Sequence, residues 1–189
     1  MEEPQGAESV IHLADPAVEL EAAYLDMVAD HLRAGDDGPK KHLEPFAADF
    51  AAYVRALHAY ARGENLPDGA VPQNTYWLMR GRTILGTARL RHRLNERLEH
   101  EGGHVGYGIR PSERGKGCAT RLLALMLDKA RARGLTRVLV TCNEDNIASR
   151  RVIEKNGGRL EDRRISDRTG KAVLRFWIDL APPLQAERR

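Results

Sequence analysis

Apolar residues recur at a spacing of three and four in three separate stretches of the chain, which predicts three amphipathic helices. Their shared faces comprise Leu20, Ala23, Tyr24, Met27 and Val28; Phe46, Phe50, Tyr53, Val54, Leu57 and Ala61; and Ala119, Leu122, Leu123, Met126, Leu127 and Ala130. Asp15-Pro16 is a favourable start for the first helix. Gly35, Gly63 and Gly134 stand where the three helices are expected to end.

Shorter runs rich in apolar and β-branched residues predict strands. These runs are Val10–Leu13, Thr75–Met79, Thr83–Arg91, Gly103–Ile109, Arg137–Cys142, Arg159–Ser166 and Val173–Leu180. The turn at Gly81-Arg82 predicts an antiparallel hairpin. Because a helix is expected just before Arg137, that strand should run parallel to the strand that precedes the helix. Asn146 is the expected cap of a fourth helix, which ends near Lys155.

These elements fit a single α/β domain. We expect residues 9–180 to form it, between a disordered N-terminus at 1–8 and a tail at 181–189. Stretches at 36–41 and 64–73 are rich in glycine, proline and acidic residues and are expected to be loops. The chain has no internal repeat, and its 189 residues suffice for a sizeable core.

Charge is distributed unevenly along the chain. Residues 1–73 hold 14 of the 27 acidic residues but only 5 of the 30 lysines and arginines. A basic second part suits either nucleic acid or a polyanionic cofactor. Aromatic residues are only 5% of the chain, which leaves few platforms for stacking bases, so the pattern favours the cofactor. We therefore expect no nucleic-acid partner.

Cysteine content and the absence of long apolar runs bear on the compartment. Cys118 and Cys142 do not resemble a disulfide framework, fit a reducing environment and are expected to be small packing residues. No run approaches the roughly 18 apolar residues that a membrane helix needs. Residues 1–6 lack the apolar segment of a secretory signal. The sequence therefore predicts a cytoplasmic protein without a membrane partner.

The segment from Arg114 to Thr120 joins the strand that ends at Ile109 to the third predicted helix. It places Gly115 and Gly117 between two cations, Arg114 and Lys116. Glycine lets the backbone approach a ligand closely, and the first N–H groups of a helix have no partner within the helix. With the positive end of the helix dipole, these groups favour a phosphate. The segment is thus a candidate site for a phosphate-bearing cofactor.

Three other motifs were weighed and set aside. His100-Glu101-Gly102-Gly103-His104 has the H-E-x-x-H spacing of zinc proteases, but two adjacent glycines argue against the continuous helix that this chemistry needs. A dinucleotide fingerprint would need a third glycine at Thr120, and a Walker A loop would need Ser or Thr directly after Lys116. No metal is therefore expected.

Four features from Gly103 to Gly158 together resemble the GCN5-related N-acetyltransferase family. They are Gly106-Tyr107 before Ile109-x-Pro111, Arg114-Gly115-x-Gly117-x-Ala119, Asn146-x-x-Ser149 and Glu154-Lys155-x-Gly157. The order of the elements before and after this segment also matches the family. The resemblance implies one domain with a mixed, mostly antiparallel sheet, a splayed parallel pair of central strands and flanking helices. It also implies transfer of an acetyl group from acetyl-CoA, as co-substrate, to an amine.

The resemblance also assigns residues that would bind acetyl-CoA. The pyrophosphate would lie on the segment comprising Arg114, Gly115, Lys116, Gly117, Cys118, Ala119 and Thr120. The pantetheine arm would run along the strand that ends at Ile109. Asn146 and Ser149 would meet the arm from the other side.

Two positions depart from the commonest family pattern, so the catalytic groups are less evident. His104 stands where many relatives have a glutamate, and Ile153 stands where many have the tyrosine that protonates the thiolate. His104 is one candidate base because imidazole titrates near neutral pH, and Glu101, acting through water, is another. Tyr107 is a candidate acid. The alternative for His104 is a strand residue that is hydrogen-bonded within the fold.

The expected acceptor is the primary amine of a small molecule. Asp36, Asp37, Glu64 and Asp68 fall in loops that the resemblance places around the acceptor, and acidic walls would favour a cationic amine such as an amino sugar, aminoglycoside or polyamine. The alternative is that these acids only keep the protein soluble. Two other functions stay open: acetylation of a protein N-terminus or lysine, and non-catalytic sensing of acyl-CoA. A homodimer is also left open.

Overall fold

A computed structural model of the protein describes residues 10–36 and 49–180. Several sequence predictions fall outside the described residues. They are the disordered segment 1–8, the tail 181–189, Asp37 in the first acidic loop, and Phe46 at the start of the second helical pattern.

In the described part of the chain, seven strands form two antiparallel sheets. The first has the order β1-β2-β3-β4, with β1 at Ile11–Ala14, β2 at Gln73–Arg80, β3 at Thr83–Arg91 and β4 at Val105–Ile109. The second has the order β5-β7-β6, with β5 at Arg137–Asn143, β6 at Arg159–Ile165 and β7 at Ala172–Asp179. The predicted α/β fold with mostly antiparallel strands and flanking helices is confirmed. In the described residues β4 and β5 belong to two sheets and share no ladder, so the splayed parallel pair within one mixed sheet stays a prediction.

Five α-helices flank the sheets in the described ranges: α1 at Glu21–Arg33, α2 at Phe50–Arg62, α3 at Glu96–His100, α4 at Cys118–Ala132 and α5 at Ile147–Lys155. Short 3₁₀ turns at Val18–Leu20 and Pro111–Glu113 precede α1 and α4. None of the helices in residues 10–36 and 49–180 is both long and apolar enough to cross a membrane.

Side-chain caps explain where α2 and α5 begin. Asn146 caps α5 as predicted, because its Oδ1 accepts the N–H of Ser149 at 3.0 Å. Asp49 caps α2 in the same way, through the N–H of Ala52 at 2.8 Å. The start predicted for the first helix at Asp15 is wrong. The 3₁₀ turn intervenes, and α1 starts at Glu21.

The sheets separate two apolar cores. The larger core lies between the sheets and the helices α4 and α5, and the predicted apolar face of α4 is confirmed there: Leu122, Leu123, Met126 and Ala130 are fully buried. The smaller core packs α1 and α2 against the opposite face of β2 and β3, around Trp77. Burial of these side chains is the main force that holds the helices on the two faces.

A buried ion pair ties α1 to the turn that follows β4. Nε of Arg110 donates to Oδ2 of Asp30 at 3.1 Å, and its Nη1 lies 2.8 Å from Oδ2 of Asp26. The backbone N–H of Ser112 also donates to Asp30, at 3.0 Å. This hydrogen bond is the largest cause of the lowered pKa of Asp30, and the charge of Arg110 adds to it. The pair therefore fixes the approach to the glycine segment 114–117.

Candidate functional site

The start of α4 has the geometry of an anion-binding turn. Gly117 is its cap residue, with φ of 79°, and no side chain caps the helix there. Gly115 has φ of 76°, which is also in the left-handed region that favours glycine. A Cβ added at either glycine would meet nothing within 4 Å, so the backbone is open on that side. The first N–H groups of α4 are thus available to an oxyanion.

The two cations of this segment are each held by a neighbouring acid. Nε of Arg114 donates to the carbonyl of Ile109 at 3.1 Å, and its Nη2 donates to Oδ2 of Asp36 at 3.0 Å. Nζ of Lys116 lies 3.3 Å from Oε1 of Glu113. Both cationic side chains are more than half exposed. They therefore stay at the mouth of the turn, where they add positive potential.

The remaining predicted cofactor residues line the start of α4. Cys118 is buried, and its Sγ lies 4.0 Å from Oε2 of Glu113. Ala119 packs against the larger core. The carbonyl of Thr120 accepts from Nδ2 of Asn156 at 3.3 Å, which links α4 to the end of α5. The structure thus brings the segment from Arg114 to Thr120 into one continuous turn and first helical turn.

His104 joins the start of β4 to β5, and the N–H of the nearby Gly102 donates to Oγ1 of Thr141 in β5 at 3.0 Å. The backbone N–H of His104 donates to the carbonyl of Leu139 at 2.7 Å, and the N–H of Leu139 donates to Nδ1 of His104 at 2.9 Å. Gly103, with φ of 61°, allows this close approach, because a Cβ there would overlap the carbonyl of Leu139. Past this junction, within residues 10–36 and 49–180, β4 has a strand partner only on its β3 side. A gap between β4 and β5 therefore opens towards the glycine segment.

The junction uses the lone pair that His104 would need as a base. Since Nδ1 accepts a hydrogen bond from Leu139, the neutral ring carries its proton on Nε2. Burial lowers the pKa of His104 to about 4, and the charges of Arg91 and Arg137 add to this effect. The geometry favours the alternative that His104 is a hydrogen-bonded structural residue.

Tyr107 of β4 and Ser149 of α5 face each other. The phenol oxygen of Tyr107 lies 2.9 Å from Oγ of Ser149 in a hydrogen bond. Burial raises the pKa of Tyr107 to about 12, so the phenol keeps its proton at neutral pH. Ser149 in turn lies in the first turn of α5, fixed by the cap Asn146. A protonated phenol thus lies at the inner end of the predicted cofactor path.

Glu101 lies on the opposite side of the junction, beside the turn between β6 and β7. Its Oε1 accepts from Nε of Arg168 at 3.1 Å. A hydrogen bond with the hydroxyl of Ser166 is the largest cause of the lowered pKa of Glu101. Burial acts in the opposite direction, and the hydrogen bond from Arg168 lowers the pKa further. Glu101 is therefore ionised at neutral pH. No hydrogen bond joins Glu101, His104 and Tyr107 to one another in residues 10–36 and 49–180.

The H-E-x-x-H segment does not form the helix that a zinc site would need. Helix α3 ends at His100, and Gly102 and Gly103 follow with φ of 110° and 61°. Nε2 of His100 is hydrogen-bonded to the carbonyl of Ile165 at 2.9 Å. Within the described part of the chain, no three His, Cys, Asp or Glu side chains cluster as metal ligands would.

The acids expected around the acceptor are in part engaged by arginines. Asp36 pairs with Arg114, as described above. Glu64 forms a two-pronged pair with Arg62, with distances of 2.9 Å and 2.7 Å. Asp68 is exposed in its loop. A cationic acceptor stays a prediction.

Two arginines of β3 were not among the site residues predicted from the sequence. Arg89 and Arg91 alternate with Ala88 and Leu90 along β3, so both arginines point away from the larger core and towards the face that α1 and α2 cover. Their alternation with apolar residues was visible in the sequence. What was not visible is that they lie beside His104 and Gly106 of β4.

Comparisons with known proteins agree with this geometry. A model of the acetyltransferase (GNAT) domain family matches residues 21–159, about three quarters of the chain. The chain belongs to this family. Acetyl-CoA is the acetyl donor and an amine is the acceptor in reactions of GNAT enzymes, so the predicted family, activity and co-substrate are confirmed at that level. No curated protein matched the sequence.

Solved structures share the fold at low sequence identity. RimJ from Mycobacterium smegmatis, in complex with a CoA disulfide, is 20% identical with a TM-score of 0.66, over 92% of this chain and 83% of its own. A Salmonella typhimurium acetyltransferase that modifies the N-terminal serine of a ribosomal protein is 15% identical with a TM-score of 0.65, over 93% and 98%. A chimeric spermidine N-acetyltransferase SpeG from Vibrio cholerae is 16% identical with a TM-score of 0.59, over 90% and 96%.

Proposed function

We propose that this GNAT enzyme transfers the acetyl group of acetyl-CoA to the primary amine of a small molecule by direct attack. The observation that carries the proposal is the gap beyond the junction of His104 and Leu139, which leads from an uncapped helix start to a protonated phenol. The helix start suits the pyrophosphate of the donor. The unpaired edge of β4 suits the amides of its pantetheine arm.

The roles of the cofactor residues follow from their places along this path. The N–H groups at Gly115 to Thr120 would hold the pyrophosphate, with Arg114 and Lys116 at the mouth of the turn. Ile109 and the rest of β4 would line one side of the arm. Asn146 would act indirectly, because its cap bond orients Ser149 on the other side.

The reaction needs one bond to form and one to break. The lone pair of the neutral amine attacks the thioester carbon, a C–N bond forms and the C–S bond breaks. The thiolate takes a proton, for which Tyr107 is the proposed donor because its phenol is protonated at neutral pH. The ammonium proton leaves through water, for which Glu101 is the proposed acceptor. His104 is proposed as a positioning residue that holds β4 against β5.

Thiol release from acetyl-CoA tests the proposal. Purified protein is incubated with acetyl-CoA and with single amines of one class each: amino acids, amino sugars, aminoglycosides, polyamines and peptides with free N-termini or lysines. Acetylation of a small amine, confirmed by mass spectrometry of the product, supports the proposal. Acetylation of peptides alone would overturn it in favour of a protein acetyltransferase. Tight binding of acetyl-CoA without turnover of any amine would support a sensor instead.

A further inference from the structure

Arg89 and Arg91 lie on the side of the sheet that faces away from α4, next to the junction. Arg89 is the register partner of Gly106, and the backbone N–H of Arg91 donates to the carbonyl of His104 at 2.8 Å. Residues opposite each other in an antiparallel ladder share a face, so both arginines flank the first half of β4. Tyr107, the proposed acid, points to the other face. The arginines thus border the gap from the side away from α4 and α5.

The guanidinium of Arg91 borders open space at Gly106. Its Nη1 donates to the carbonyls of Gly102 and Gly103 at 2.9 Å and 2.8 Å. A Cβ added at Gly106 would lie 3.8 Å from Nη2 of Arg91 and 3.9 Å from Nη1, with no other group within 4 Å. In the described residues, Nη2 of Arg91 makes no hydrogen bond. Nη2 of Arg91 is therefore a hydrogen-bond donor that lies next to the open space at Gly106.

The charges that act on Arg91 are positive. The pKa of Arg91 is lowered to about 10. Burial is the largest cause, and the positive charges of Arg89 and Arg97 also contribute. No carboxylate of the described chain lies within 4 Å of Arg91, whereas Arg110 has two acidic partners and Arg163 has one. The carbonyls of Gly102 and Gly103 satisfy Nη1, but no carboxylate of the described chain neutralises the charge of this half-buried guanidinium. Such an arrangement is typical of sites where a ligand supplies the anion.

We infer that the acceptor amine carries a carboxylate-type anionic group, which Arg91 binds beside Gly106 while the amine reaches the thioester. This inference rests on the proposed function and specifies the acceptor. It points away from the cationic amines that the acidic loops suggested. Arg89 adds positive potential at the same place, and the planar fork of Arg91 suits a carboxylate.

Matched pairs of acceptors test the inference. Amino acids are compared with their amides, phosphoethanolamine with ethanolamine, and spermidine serves as the cationic acceptor. We expect kcat/KM for the carboxylate member to exceed that of its amide at least about tenfold, which corresponds to one charge-assisted contact. A preference for phosphoethanolamine alone would identify a phosphate as the anion. Equal rates within a pair, or faster transfer to spermidine, would overturn the inference.

Substitution of Arg91 shows whether that side chain carries the preference. Arg91→Gln should reduce the carboxylate-to-amide ratio of kcat/KM to about one, and Arg91→Lys should retain part of it. Arg82→Gln, in the exposed turn between β2 and β3, is the control and should leave the ratio intact. Since Arg91 also holds two backbone carbonyls, equal losses on both members of a pair would mean a purely structural role and would overturn the inference.

A binding measurement separates this inference from the proposed function. Calorimetry with CoA-loaded protein compares an N-acetylated amino acid with its N-acetylated amide. Preferential binding of the acid, lost in Arg91→Gln, supports the anion site even if no amine is acetylated, in which case only the proposed activity fails. Equal binding of the two compounds overturns the anion site even if transfer to amines occurs.

Discussion

The backbone N–H of Leu139 donates to Nδ1 of His104 at 2.9 Å, and the N–H of His104 donates to the carbonyl of Leu139 at 2.7 Å. This pair of bonds replaces a ladder between β4 and β5. A side-chain nitrogen occupies the place of the backbone acceptor that a neighbouring strand would offer. The strands are therefore held together at one end and stay apart along the rest of β4, as the proposed path of the pantetheine arm requires.

The stability of the junction should depend on pH through His104. Its pKa is about 4 in the folded protein and near 6.5 when exposed, so the unfolded state binds more protons between these values. Stability is therefore fully present above about pH 6.5 and falls as pH decreases towards 4, by up to about 3 kcal/mol. Urea unfolding at about pH 7.5 and about pH 4.5 measures this difference.

His104→Asn isolates the contribution of the imidazole, because asparagine keeps an acceptor but does not titrate. The variant should lose less stability than the parent protein between about pH 7.5 and about pH 4.5. His12→Gln, an exposed histidine of β1, serves as the control and should behave as the parent does. If His104→Asn lost as much stability on acidification as the parent protein, the role assigned to the junction would be contradicted. Loss of a kinetic pKa from the pH–rate profile of the variant would instead restore His104 as a base.

Tyr107→Phe should slow the chemical step. The variant removes the proposed proton donor to the thiolate, and general acid catalysis is worth about 10² to 10⁴ in rate. We expect kcat to fall by about 10², with little change in KM for acetyl-CoA, as measured by thiol release. Tyr60→Phe on α2 is the matched control. Ser149→Ala keeps the phenol and should cost less than Tyr107→Phe; an unchanged kcat in Tyr107→Phe would exclude the phenol as the acid.

Local sequence signals were sufficient for most elements of the fold. The apolar face of α4 and the cap at Asn146 depend on residues within one or two helical turns, so spacing alone identified them. The start of α1 was misplaced because Asp15-Pro16 matches a capping pattern, yet a 3₁₀ turn intervenes. The glycine segment was found because positive φ and open backbone have a direct sequence signature in Gly115 and Gly117.

The catalytic side of the site depended on contacts between distant parts of the chain. The pKa of His104 is lowered first by burial and then by the charges of Arg91 and Arg137, and its tautomer is set by Leu139, 35 residues away. The position of Arg91 at the gap likewise requires the register of β3 with β4. The sequence therefore predicts the donor end of the site from local motifs, whereas the role of His104 depends on contacts that only the structure shows.

Gly117→Ala should weaken binding of acetyl-CoA through the backbone. An alanine at φ of 79° is strained by about 1 to 2 kcal/mol, and relief of the strain would move the first turn of α4. A loss of about 1.4 kcal/mol of binding corresponds to a tenfold higher KM for acetyl-CoA. Gly134→Ala is a close control, since φ is 82° and a Cβ would also meet nothing within 4 Å. Equal KM values in the two variants would show that the helix start does not hold the donor.

Asp30→Asn should destabilise the protein, because Asp30 links α1 to the turn before α4. The variant leaves Arg110 buried with only Asp26 as an acidic partner, and breaking a buried pair is worth about 3 kcal/mol. Since the pKa of Asp30 is lowered, its contribution is present at neutral pH and is lost on acidification, so the deficit should shrink in acid. Glu144→Gln, in an exposed pair, should cost much less than Asp30→Asn because solvent screens that pair. Chemical unfolding measures the free energy of unfolding of the two variants and the parent protein. Equal stability of Asp30→Asn and the parent protein would show that the hydrogen bond from the backbone N–H of Ser112 is enough to hold this turn.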